Sequence, residues 1–205
     1  MLFDTLALIS LLIVVALLRI LVNTFPSLAA CIVRAKESFN IDSSVKLQRD
    51  RNILALAFVL PFCLTAFRYG LYSPKFIEGL TPNAALMLTT GIFITYALLR
   101  TALRTIARPR KSPATYGTAA TAAYTFFIIL TLALLLTGGV MSMFNAEPSS
   151  IKNAMIWVSG IIYLIFLLRK VQIFASSYNY FTVFLYLCAL EIIPTGVLIT
   201  SAIIF

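Results

Sequence analysis

The sequence predicts an all-α fold, a polytopic transmembrane helix bundle of about six spans with both termini outside, forming a single integral membrane domain over residues 1–205. Three observations predict it. Hydrophobic residues make up 61% of the chain and charged residues 11%, with a mean hydropathy of +0.99, whereas soluble domains carry about 25% charged residues. Apolar runs recur at the ~20-residue length that lets a helix cross a ~30 Å hydrocarbon layer. Lys and Arg concentrate in alternate connections between those runs, the pattern that orients a multi-span chain.

The spans follow in order over residues 2–22, 52–72, 84–106, 118–143, 151–168 and 181–205. The first, Leu2 to Val22, ends before Pro26. The second, Asn52 to Tyr72, carries Pro61 in its middle and is closed by Ser73 and Pro74. Thr81 followed by Pro82 supplies an N-cap and a first-turn proline for the third, which continues through Ala84 to Ile106. Pro109 and Pro113 then break the chain, and Ser112 before Pro113 repeats the start signal. The fourth span, Thr118 to Met143, opens with the small residues Ala119, Ala120, Ala122 and Ala123. Ser150 caps the fifth, Ile151 to Leu168, and the sixth runs from Phe181 to Phe205.

Orientation follows from the basic residues. With connections assigned alternately, one side holds Arg19, Arg34, Lys36, Lys46, Arg49, Arg51, Arg100, Arg104, Arg108, Arg110, Lys111, Arg169 and Lys170, and the other only Arg68, Lys75 and Lys152. The basic side is expected to be cytoplasmic. The longest polar connection, Arg34 to Arg51, reads either as a docking arm for a partner or anionic headgroups, or as a solvated topology anchor in which Asp42 or Ser43 caps a helical extension of the second span.

Several functions are excluded or weakened by what the chain contains. The net charge of +9 is interleaved between apolar spans, so it marks topology and no nucleic-acid partner is expected. Cys31, Cys63 and Cys188 have no CxxC spacing, and the chain has no His, so neither a disulfide framework, a metal site nor another cofactor is indicated. The same lack of His removes the usual general base and the Ser-His-Asp triad. Leu28-Ala29-Ala30-Cys31 resembles a lipoprotein cleavage box, but no positive segment precedes the apolar run and Arg19 interrupts it, so Cys31 is expected in a short interfacial segment instead.

Glu191 is the candidate site. It is the only acid inside the later spans, and a charge at the centre of a bilayer costs at least ~2.5 kcal/mol, so such a residue is paired or used. A rise of ~1.5 Å per residue from Phe181 puts it near the midplane. Pro194 lacks an amide hydrogen and crowds the Leu190 carbonyl, so the helix is expected to bend there and open a polar pocket. The candidate cationic partners are Arg68, which is preferred, and Arg100. Arg100, Arg104 and Arg108 recur every four residues and share a helix face, either as headgroup or phosphate contacts or as anchors that snorkel to the interface.

Tyr186, Leu187, Cys188, Glu191, Ile192 and Pro194 form a Tyr-Leu-Cys-x-x-Glu-Ile-x-Pro segment. It resembles the C-terminal signature of an uncharacterised Bacteroidota family of polytopic membrane proteins, classed only as a domain of unknown function. The resemblance implies a bacterial inner membrane and brings no activity with it. Three roles remain. The favoured one is a non-enzymatic accessory or assembly component of an envelope complex, with the lipid bilayer and a membrane-protein partner or a second copy as its contacts. The alternatives are a small transporter or proton-coupled device using Glu191, and an enzyme acting on a lipid substrate.

Overall fold

Prolines preset the first turn of three long helices, where a missing amide hydrogen costs no hydrogen bond. The computed structural model describes residues 2–77, 79–107 and 112–204. Among them the chain is entirely helical apart from its turns: α1 (Leu2–Ala16), α2 (Leu18–Val33), α3 (Lys36–Ser43), α4 (Val45–Ala57), α5 (Val59–Arg68), a short 3₁₀ turn (Lys75–Ile77), α6 (Pro82–Ile106), α7 (Pro113–Met143), α8 (Pro148–Ala175), α9 (Tyr180–Leu187), a π-turn (Cys188–Ile192) and α10 (Ile193–Ile204). Five helical stretches are long and apolar enough to cross a membrane: Val45–Arg68, Pro82–Ile106, Pro113–Met143, Pro148–Ala175 and Tyr180–Ala202. The pair α1 and α2 makes a sixth if it counts as one broken span. The protein is a multi-span helical membrane protein.

The first span departs from the expected straight helix over Leu2 to Val22. It bends by 69° at Leu17, and its second arm runs on to Val33 with Pro26 inside it. The two arms differ in character. Ser10 is the one buried position of α1, whereas α2 turns Thr24, Leu28 and Cys31 inward along one stripe and leaves Leu18, Val22 and Phe25 outside. Packing that stripe against α4 and α7 turns α2 away from the axis of α1. Cys31 therefore lies within α2, fully buried, and not in an irregular interfacial segment.

The polar connection is folded. α3 packs between α2, α4 and α7, and Ser44, one residue beyond the expected Asp42 or Ser43, caps α4 by accepting from the Leu47 amide. Arg51 and Asp42 join at 2.7 Å, and the second Asp42 oxygen accepts from Thr121 on α7 at 2.8 Å. Arg169 on α8 donates from Nε and Nη2 to the Ile32 carbonyl at 2.9 and 2.6 Å, satisfying an acceptor that the end of α2 leaves open. The apolar cluster beneath comprises Leu28, Cys31, Ile41, Leu54, Ala55, Phe58 and Ile128.

The longest helix pairing is α7 against α8, an antiparallel hairpin turning over residues 144–147. There Asn145 takes the left-handed conformation (φ 52°), which Asn tolerates better than most residues. α8 starts at Pro148, before the expected Ser150 cap, and ends at Ala175, beyond the expected Leu168. Asn179 caps α9, which folds back along α8. Large apolar side chains such as Leu136, Trp157, Leu164 and Phe184 face outward, as a bilayer solvent requires.

Candidate functional site

Pro194 shapes the local backbone around Glu191. Where the bend at Leu190 is expected, the backbone forms the π-turn Cys188–Ile192, in which the Ile193 amide reaches back five residues to the Cys188 carbonyl. Widening the turn is one way a helix absorbs a ring that cannot donate. The carbonyl that gains a side-chain partner is that of Glu191, which accepts from the Tyr163 hydroxyl at 3.1 Å. Tyr96 and Thr195 exchange a hydrogen bond at 2.8 Å beside Pro194, tying α6 to α10.

Glu191 points inward, only 1% exposed. Arg104 Nη2 donates to its Oε1 at 2.7 Å, Lys170 Nζ pairs with the same oxygen, and Arg100 Nη2 pairs with Oε2. Arg104 also donates to the Ala120 carbonyl of α7 at 3.2 Å, and the Tyr116 hydroxyl donates to the Arg104 carbonyl at 2.7 Å. The Phe166 ring lies 5.5 Å from the Arg100 guanidinium and 5.0 Å from the Lys170 ammonium, within cation–π range. The carboxylate thus joins the π-turn to α6 and α8, and Arg104 extends the network to α7.

Two features limit its chemistry. Three basic groups face one acid, and the Nε atoms of Arg100 and Arg104 are buried without a hydrogen-bond partner. The cavity beside them, lined by Arg104, Tyr116, Lys170 and Glu191 among others, measures about 10 Å³, room for about one water molecule. Among the described residues no group of three or more His, Cys, Asp or Glu is placed to hold a metal ion.

The candidates named from sequence separate into two ends of the bundle. Arg100 and Arg104 meet Glu191 inside the bundle; Arg108 lies outside the described residues. Arg68, the preferred partner, does not reach Glu191. It ends α5, exposed, with its guanidinium 5.8 Å from the Tyr69 ring centroid, and it shares a cavity with Ser142 and Asn145. From Ala120, at the level of the cluster, to Ser142 the rise along α7 is about 33 Å, far beyond any side chain. Lys170 was the missed member, because its neighbour Arg169 made the pair look like a loop anchor. Its signal was present in the spacing: Phe166, Lys170, Ile173 and Phe174 share one helix face, and all four are buried.

No curated protein and no solved structure matches the chain. One family does, over nearly the whole length: Domain of unknown function (DUF4271) matches residues 5–201. The multi-span helical protein built around the Glu191 cluster therefore belongs to the DUF4271 family.

Proposed function

We propose that the chain is a non-enzymatic accessory or assembly component of a bacterial inner-membrane complex, and that the Glu191 cluster is the brace that holds its basic end together. The observation that carries this reading is a carboxylate bound by cations from two other helices in a site with room for only about one water. Such a site joins helices and leaves no passage for a substrate. A lipid-substrate enzyme would need Arg100 and Arg104 to face an open site, and they face Glu191.

The depth of the cluster fits a brace near the membrane surface better than a midplane site. At 1.5 Å per residue, α7 spans about 46 Å, some 16 Å more than the hydrocarbon layer. Counting about 20 residues from the Met143 end of α7 reaches Ala123, and the same count from Ala84 on α6 reaches Arg104. On that placement the three cations sit at the boundary of the leaflet beneath the basic connections, which the charge asymmetry assigns to the cytoplasm.

This orientation predicts that a phosphatase active only in the periplasm works when fused after Phe205 and is silent when inserted between Arg108 and Thr115. Reversed activities overturn the orientation. For the N-terminus, a cysteine placed at Asp4 in a background without native cysteines is expected to react with an impermeant maleimide added to intact cells. Protection until lysis would mean that the bent α1–α2 pair turns back without crossing.

A second reading, a small transporter or proton-coupled device, draws on one observation: Glu191 sits in a π-turn, and π-turns inside helices are frequent at functional sites. Glu191→Gln separates the two, since it keeps the shape and deletes the charge. Loss of the protein from the membrane supports the brace; normal abundance with lost function supports coupling. Mild detergent extraction from the native host, with mass spectrometry of the co-purifying proteins, tests the accessory role. A stoichiometric partner is expected, and recovery of this chain by itself counts against it.

A further inference from the structure

At the end of the bundle away from Glu191, two depressions meet at Arg68 and Tyr69. One, of about 370 Å³, is polar in part, with Ser142 and Asn145 joining Arg68 in its wall. The other, of about 350 Å³, is an apolar trough between α1, α5 and α7, walled by residues such as Ala7, Leu11, Pro61 and Leu135. Their common wall gives one groove with a cationic head and an apolar tail. On α1 its lining extends from Phe3 to Val14, about 16 Å of helix, which is close to the ~15 Å depth of one leaflet.

Charge and floor both point to the occupant. Arg68 is exposed, and among the described residues no carboxylate lies within ion-pair distance of it. Two glycines shape the trough. A Cβ at Gly138 would come within 2.6 Å of the Met155 methyl carbon and 3.1 Å of the Tyr69 ring, so its absence lets Tyr69 lie against α7 at the junction. A Cβ at Gly139 would meet nothing within 4 Å, although Gly139 lines the trough. The floor is therefore open where a chain of methylenes would lie. We propose that this groove binds one anionic phospholipid of the adjoining leaflet, with its phosphate at Arg68 and one acyl chain in the trough between α1, α5 and α7.

The headgroup must supply the selectivity, because an acyl chain gains little by exchanging bilayer for an apolar trough. A guanidinium holds the phosphate of either lipid by charge-assisted hydrogen bonds, but phosphatidylcholine also brings a quaternary ammonium whose positive charge opposes Arg68, and phosphatidylglycerol brings none. The test is native mass spectrometry of the full-length protein, delipidated in detergent and titrated with phosphatidylglycerol or with phosphatidylcholine. The wild type is expected to take up one tightly held phosphatidylglycerol, at about tenfold lower concentration than phosphatidylcholine, a ratio that corresponds to about 1.4 kcal/mol of repulsion between the choline cation and Arg68. Arg68→Gln should abolish that preference and retain weak binding of both lipids. Gly139→Leu should fill the trough and lower uptake of both lipids at least fivefold, while the elution volume and thermal midpoint stay as in the wild type. If Gly139→Leu proves unstable, Ala7→Leu fills the trough from the opposite wall and must give the same loss. Equal affinity for the two lipids, an anionic preference that survives Arg68→Gln, or undiminished uptake in a folded trough-filling variant overturns the proposal.

Discussion

Glu191→Ala is expected to destabilise the protein by about 3–5 kcal/mol, the cost of removing one partner from a buried ion pair. Arg100, Arg104 and Lys170 are then left facing one another with no counter-charge. The cation excess makes the converse change mild. Lys170→Met keeps most of the side-chain volume and lies against the Phe166 ring. It leaves two arginines to neutralise Glu191, so its loss should stay below about 1.5 kcal/mol, the range of volume-conserving core substitutions. Unfolding of both variants by SDS titration in mixed micelles measures the asymmetry. Equal losses, or a larger loss for Lys170→Met, would mean that Lys170 is the indispensable partner and that excess positive charge does not govern the site.

The asymmetry also explains why the cluster was only half legible in the sequence. A carboxylate deep in an apolar run demands a partner, and Glu191 declares itself on that ground. The spacing of Arg100 and Arg104 shows that they share a face. It does not show whether that face looks toward lipid or toward the bundle, and that choice is made by the π-turn, which brings Glu191 between α6 and α8. Lys170 was hidden by a composition rule, since basic residues at a span end usually mark topology. α8 carries on through Ala175 because its last turns pack Ile173 and Phe174 against Tyr116, Val183 and Leu187, contacts that no local propensity encodes.

The membrane character was legible because bilayer thickness sets the length of each apolar run, and Thr81-Pro82 and Ser112-Pro113 mark helix starts at Pro82 and Pro113. The bend at Leu17 had no such mark. Neither Gly nor Pro stands there, and Pro26, the residue that ought to end the helix, lies inside α2. The break reflects tertiary packing of one amphipathic arm.

Residues 34–51 show the same limit from the other side, because a segment this polar reads as solvated until its partners are known. Arg51, 1% exposed, is held by Asp42, which in turn holds Thr121, so the pair fastens α3 to the middle of the fold. Arg51→Met is therefore expected to cost about 3–5 kcal/mol, by leaving Asp42 without its cation at a packed junction. Asp42→Asn should cost a similar amount by leaving a buried guanidinium without its counter-charge. The double variant Arg51→Met with Asp42→Leu should lose less than the two single losses added, because an apolar pair removes both charges together. The readout is limited proteolysis in detergent between Arg34 and Arg51. A local loss of 3 kcal/mol raises the open population by more than about a hundredfold, so cleavage in the single variants should accelerate accordingly where opening is fast relative to cutting. A wild-type protein cut there as quickly as the variants would return the segment to the role of a solvated anchor, and the clamp between α3, α4 and α7 would carry no stability.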